Sequence, residues 1–71
     1  MLDKNALRSI MVANGDTQAT LAADMGISLS NLNAKINEYR GLQFSQFEID
    51  FIRRRYDLSA GDVVRIFFAH Q

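Results

Sequence analysis

Eight carboxylates, one histidine and eight lysines and arginines are the groups through which this 71-residue chain could do chemistry. Their spacing speaks against catalysis. Asp3, Asp16, Asp24, Glu38, Glu48, Asp50, Asp57 and Asp62 are scattered, several of them where helices should start. They read as caps and solubilising charge rather than as an acid–base pair. His70, the single histidine, lies one residue from the end of the sequence, where a frayed surface side chain is expected. Cysteine is absent, which removes disulfides and cysteine-ligated zinc together. No Ser/His/Asp or Cys/His set can be assembled, and there is no Gly-rich phosphate loop. An enzyme, a metal, a cofactor and a small-molecule substrate are therefore not expected.

The spacing that does carry chemistry is one of recognition. In the stretch Gln18-Ala-Thr-Leu-Ala-Ala-Asp-Met-Gly-Ile-Ser-Leu-Ser-Asn-Leu32, Ala22 offers a small residue where two helices can touch. Four positions later Gly26 offers a residue free to take positive φ at a turn. Leu21, Met25, Ile27 and Leu32 supply the apolar anchors that pin both helices to a core. Two short helices joined by a tight glycine-containing turn define a helix-turn-helix. An ordinary helical hairpin in a bundle is the alternative reading of the same residues.

The rest of the chain must position that unit, and its punctuation divides it into five helical segments. Asp3 caps a first helix in which Leu7, Ile10 and Met11 form one buried stripe, and Asn14-Gly15 ends it. Thr17 caps the second, with Leu21, Ala22 and Met25 inward and Gly26 as its stop. Ser28 opens the third, carrying Leu32 and Ile36, and Tyr39-Arg40-Gly41 breaks the pattern. Ser45 with Glu48 and Ser59 with Asp62 are capping boxes, each opening a further helix. Ile49, Ile52 and Tyr56 face inward in the fourth; Val63, Ile66 and Phe67 do so in the fifth, which runs to the end. Val-Val-Arg-Ile-Phe-Phe would suit a strand by composition, but its capping box favours helix. The fold class expected is all-α, one domain over residues 1–71.

An apolar fraction of 48% argues for a folded chain. A chain this short buries only roughly 60% of its unfolded surface, so an oligomer or a bound partner is a natural supplement. No apolar stretch is long enough to span a bilayer and no secretory signal is present, so a cytoplasmic protein without a membrane role is expected. Formal net charge is zero and the pI is about 6.5. DNA-binding domains usually carry a basic balance, so phosphate binding here requires a local patch. Arg53-Arg54-Arg55 resembles one, yet three consecutive helical residues fan over about 200°. Pairing with Asp50 or Asp57 on a solvated face is the expectation for them. Phe44, Phe47, Phe51, Phe67 and Phe68 are expected in the core for the most part. Phe67 and Phe68 point about 100° apart, so one is expected at the surface, where it would offer an oligomer contact.

Residues 7–37 resemble the helix-turn-helix domains of the lambda-type repressor and Cro family. Phe44-Ser-Gln-Phe-Glu-Ile-Asp-Phe-Ile-Arg-Arg-Arg-Tyr-Asp-Leu-Ser, with Ile66-Phe67-Phe68, is similar to the tail of small phage-encoded regulators of that superfamily from Gram-positive hosts. The resemblance implies a five-helix lambda-repressor-like DNA-binding domain at a lysis–lysogeny switch, with helices two and three as the helix-turn-helix. It implies that Gln18 contacts a DNA phosphate and braces the third helix, aided by amides of the helix N-terminus. Asn37 would touch backbone phosphate, with Lys35 and Arg40 adding charge nearby. Leu29, Ser30, Asn33 and Ala34 would face base edges behind the cap Ser28, with Asn31 beside them.

The sequence departs from that pattern in ways that matter. Family members often carry Arg or Gln at the places held by Leu29 and Ala34, and Lys35 stands at a usually apolar place, where Ile36 would take over the packing. Guanine is read by Arg and adenine by Asn or Gln, so this helix has few strong donors. Two partners follow: double-stranded operator DNA, favoured and read as a homodimer, or a cognate repressor protein covered by the same surface in antirepressor fashion. A purely structural oligomerisation module is a third reading.

Overall fold

A computed structural model describes residues 1–69; His70 and Gln71 lie outside the described residues. Five α-helices and a short 3-10 turn make up the described chain, which contains no strand. They are α1 (Lys4–Ala13), α2 (Gln18–Met25), α3 (Leu29–Ile36), the turn Tyr39–Gly41, α4 (Gln46–Arg55) and α5 (Ala60–Phe67). None is long and apolar enough to cross a membrane.

Side chains that take up one of the free backbone donors set the starts. Asp3, Thr17, Ser28, Ser45 and Ser59 each accept from the amide three residues on. Glu48 and Asp62 return the bond to the amides of Ser45 and Ser59, completing both expected capping boxes.

Helix ends follow one device used three times. After α2 the amide of Ile27 reaches back to Ala22 O at 3.0 Å and that of Gly26 to Ala23 O at 3.2 Å. This 6→1 and 5→2 pairing needs a left-handed residue, which Gly26 supplies at φ 75°. Gly15 does the same after α1, with Asp16 bonded to Met11 O. After α4 the left-handed place falls to Asp57, at φ 53°. Glu38 and Arg40 also have positive φ, so the link between α3 and α4 turns through sterically unfavourable backbone.

One core joins all five helices. Leu7 and Met11 of α1, Leu21 and Ala22 of α2, Leu32 and Ile36 of α3, Ile49 and Ile52 of α4, Leu58, and Ile66 and Phe67 of α5 are buried together. Ile10, Met25, Ile27, Phe44, Tyr56 and Val63 pack around its edge. The expected stripes are therefore present, with Ile10, Met25, Tyr56 and Val63 at the margin rather than the centre. α2 packs on α3, while α5 closes the bundle against α1 and α4. The first and last described segments are tied to each other: Asp3 N–H donates to Ile66 O at 2.7 Å and Ala69 N–H to Met1 O at 2.9 Å.

Two expectations need correcting. Phe47 is not core: it is 83% exposed, because it lies about 200° around α4 from the buried Ile49. The last helix stops at Phe67, and Phe68 is its cap. Phe67 is buried at 6% exposure and meets Phe44 edge-on, with ring centroids 5.8 Å apart. Phe68 is the member of that pair at the surface, at 46% exposure.

Candidate functional site

The α2–α3 unit presents a ridge of small polar side chains. Ser28 is spent as the cap of α3, its hydroxyl accepting from Asn31 N–H at 3.0 Å. Leu32 and Ile36 turn inward, which leaves Ser30, Asn33 and Asn37 exposed and Ala34 half-buried along the opposite side. Leu29 stands at the head of the ridge, 50% exposed, and Asn31 is also open to solvent.

A chain of amide contacts runs along this face. The Asn33 side chain donates to Gln18 Oε1 at 3.2 Å, linking the middle of α3 to the first turn of α2. Asn37 Nδ2 donates back to Asn33, to its carbonyl at 2.9 Å and its Oδ1 at 3.2 Å. Lys4 of α1 donates to Asn37 Oδ1 at 3.4 Å. Gln18, Asn33 and Asn37, separate candidates in the sequence, thus form one continuous set, and Lys4 extends it onto a third helix.

The cations sort into two groups. Lys35 is withdrawn from the ridge and pairs with Glu48 of α4, both side chains largely buried. Burial pushes the Glu48 carboxyl up, but the Lys35 ammonium and the Ser45 amide outweigh it, and the net displacement is downward. Arg53 and Arg54 both pair with Asp50 on the surface of α4, as expected for a solvated face. Arg65 pairs with Asp62 in the same way on α5.

Arg55 departs from the expected local pairing. It reaches back across the fold, binding Asp16 through Nε at 2.7 Å and Nη2 at 3.2 Å, and Asp24 through Nη1 at 2.6 Å. Tyr56 OH donates to Asp16 at 2.5 Å, and Thr17 N–H donates to it at 3.1 Å. The Arg55 guanidinium, followed by the Tyr56 hydroxyl, holds the Asp16 carboxyl below the ordinary carboxylate range. Burial, together with Asp16, pushes the Tyr56 hydroxyl well above its ordinary value. The asymmetric roles of three consecutive arginines were not visible in their run, since the partners of Arg55 lie on the approach to α2 and near its end. Asp57 makes no ion pair among the described residues.

Lys4, Arg8 and Arg40 remain outside every ion pair among the described residues. Arg40 lies over the Tyr39 ring, 5.2 Å from its centroid. Lys4 and Arg8 stand one turn apart on α1, the first on Asn37, the second beside a surface cleft shared with Asp16, Thr17 and Gln18. Neither was singled out by sequence reasoning. Their i, i+4 spacing along the edge of the inward stripe of Leu7 and Met11 was the signal available.

The chain matches no protein-family model, no curated protein and no solved structure.

Proposed function

We propose that this protein is a transcriptional regulator of the phage-repressor kind, a lambda-repressor-like helix-turn-helix domain that binds operator DNA through α2 and α3. The observation that carries this reading is the chain Lys4–Asn37–Asn33–Gln18. It sets neutral donors and acceptors along the outward side of α3 and puts cations beside them, although the whole chain has no net charge. In this mechanism α3 enters the major groove. Gln18, Asn37, Lys4, Arg8 and Arg40 hold phosphates, and Ser30, Asn33, Leu29 and Ala34 meet base edges. Asparagine pairs bidentately with adenine, and an apolar group packs on a thymine methyl, so an A·T-rich half-site fits this surface. Lys35 takes no part, since Glu48 holds it.

Three lysines and arginines outside ion pairs among the described residues is a modest charge for a phosphate-binding surface, and Leu29 is an apolar anchor at its head. Those two observations favour a second reading, in which the same face covers the DNA-binding surface of a cognate repressor at the lysis–lysogeny switch. Interfaces between proteins favour such anchors over dispersed charge.

A titration on DNA from the protein's own gene neighbourhood, at low and physiological salt, separates the two. The DNA reading expects sequence-selective binding whose logarithm falls linearly with log salt. It also expects Lys4→Ala and Arg8→Ala each to flatten that slope by about one unit. Absence of binding at low salt, together with capture of the neighbouring repressor that is lost in Leu29→Ser, would establish the second reading instead.

A further inference from the structure

The outward face of α4 carries a second surface, away from the ridge on α3. Phe47 is the most exposed large apolar side chain among the described residues. Phe51 lies one turn further on and is half-buried; Asp50 and Arg54 complete a shallow groove with them. Core packing does not require an aromatic ring left in water at the start of this helix, since Ile49 and Ile52 already anchor α4.

The stripe has an internal symmetry. Phe47 and Arg54 are seven residues apart, about 10.5 Å along the helix, and the midpoint between them falls between Asp50 and Phe51. A two-fold axis through that midpoint would lay two copies of α4 antiparallel, bringing each Phe47 against the partner's Arg54. It would bring each Phe51 against the partner's Asp50 and Phe51. Arginine over an aromatic face is a favourable contact. Each Arg54 would also lie within a turn of the partner's Asp50. Such reciprocity, residue i on j and j on i, is what a closed dimer interface requires. The charges present no obstacle: Arg53 and Arg54 hold Asp50 at 3.3 and 3.1 Å in exposed pairs, which contribute little and exchange partners readily.

We infer that α4 is a homodimer interface, with two copies of this chain pairing antiparallel through Phe47, Phe51 and the reciprocal charges of Asp50 and Arg54. This stands apart from the DNA reading, because self-association is measured without DNA. It also differs from the expectation that Phe67 and Phe68 make the oligomer contact: Phe67 is committed to the core, and the exposed charges of α5, Asp62 and Arg65, are not placed symmetrically about Val64 and Phe68.

Sedimentation equilibrium of the full chain, from about 1 µM to about 1 mM, tests it. A reversible monomer–dimer equilibrium is expected. Phe47→Ser and Arg54→Glu should each weaken it at least tenfold, as roughly expected for a central anchor. Phe68→Ser should leave it unchanged. Both α4 side chains are at the surface, and an unchanged helical circular dichroism signal would verify that the variants fold. A chain that stays monomeric over the whole range overturns the inference. So does a dimer that Phe68→Ser disperses while Phe47→Ser and Arg54→Glu leave it intact.

Discussion

Around Asp16 the polar contacts are ionic, reach across the fold and are largely withdrawn from water; along Asn33 they are neutral, longer and open to solvent. Both networks fasten α2, one through Asp16 and Asp24 to Arg55, the other through Gln18 to Asn33. The Asp16 carboxylate, 6% exposed, is saturated by a guanidinium, a phenol and an amide. Satisfied in this way it fixes a position and has nothing left for a ligand. The amides of Asn33 and Asn37 are held loosely enough to exchange partners at little expense, since an exposed neutral hydrogen bond contributes about 1 kcal/mol or less. The rigid network orients the helices; the labile one leaves its amides open to solvent, which is what the proposed recognition role requires.

The largest expected effect comes from breaking the rigid side. Arg55→Met leaves Asp16 nearly buried without its counter-charge and should lower stability by about 2–4 kcal/mol, read as a shift in the urea midpoint. A loss below 1 kcal/mol would mean that the cluster does not hold α4 to α2.

The pH dependence of stability tests the same side. Asp16 has a folded pKa below its ordinary 3.8, so its contribution is complete above that value and is lost as pH falls through the lower folded one. Tyr56 has a folded pKa raised above 10.0, so its contribution is complete below 10.0 and is lost as pH rises through the higher folded value. Unfolding midpoints should therefore hold steady between about pH 5 and 9 and fall on either side, with Asp16→Asn flattening both limbs.

On the labile side the balance is reversed. Asn33→Ala should change stability by no more than about 0.5 kcal/mol. On the DNA reading proposed above, discrimination at one base pair should fall by about 1–3 kcal/mol in the same variant, measured by competition with altered operators. A large stability loss in that variant would erase the contrast between the networks. The smallest effect concerns the end of α4. Asp57→Gly should raise stability by about 0.5 kcal/mol, because only glycine takes positive φ without a Cβ penalty. Thermal denaturation of the two chains side by side would resolve it.

Much of this arrangement was legible in the sequence, for local reasons. Asp3, Thr17, Ser28, Ser45 and Ser59 mark helix starts because a cap and its amide are three residues apart. Leu7 and Met11, or Leu32 and Ile36, declare a buried stripe by spacing alone. Gly26 announces its turn because few other residues accept that backbone. Phe47 could have been placed by the same reasoning, since its distance around the helix from Ile49 sets it outside; its hydrophobicity pointed the other way. The Arg55 cluster was not legible, because its acids lie far upstream and only the fold brings them together. The displacement of Lys35 from the ridge was half-legible: the resemblance implied an apolar residue at its place, but the Glu48 that receives it belongs to another helix.

The bonds from Asp3 to Ile66 and from Ala69 to Met1 have a kinetic consequence. During synthesis the first helix emerges long before the segment that covers it, and neither Leu7 nor Met11 can be fully enclosed until α5 has left the ribosome. Contacts between segments so far apart in sequence are the slow ones to form, because the loop between them must close before they return any energy. Folding should therefore be a late, concerted event. A nascent chain stalled while Ile66 is still within the ribosome should remain open to protease along its emerged length, where one stalled after Ala69 has left the ribosome is protected.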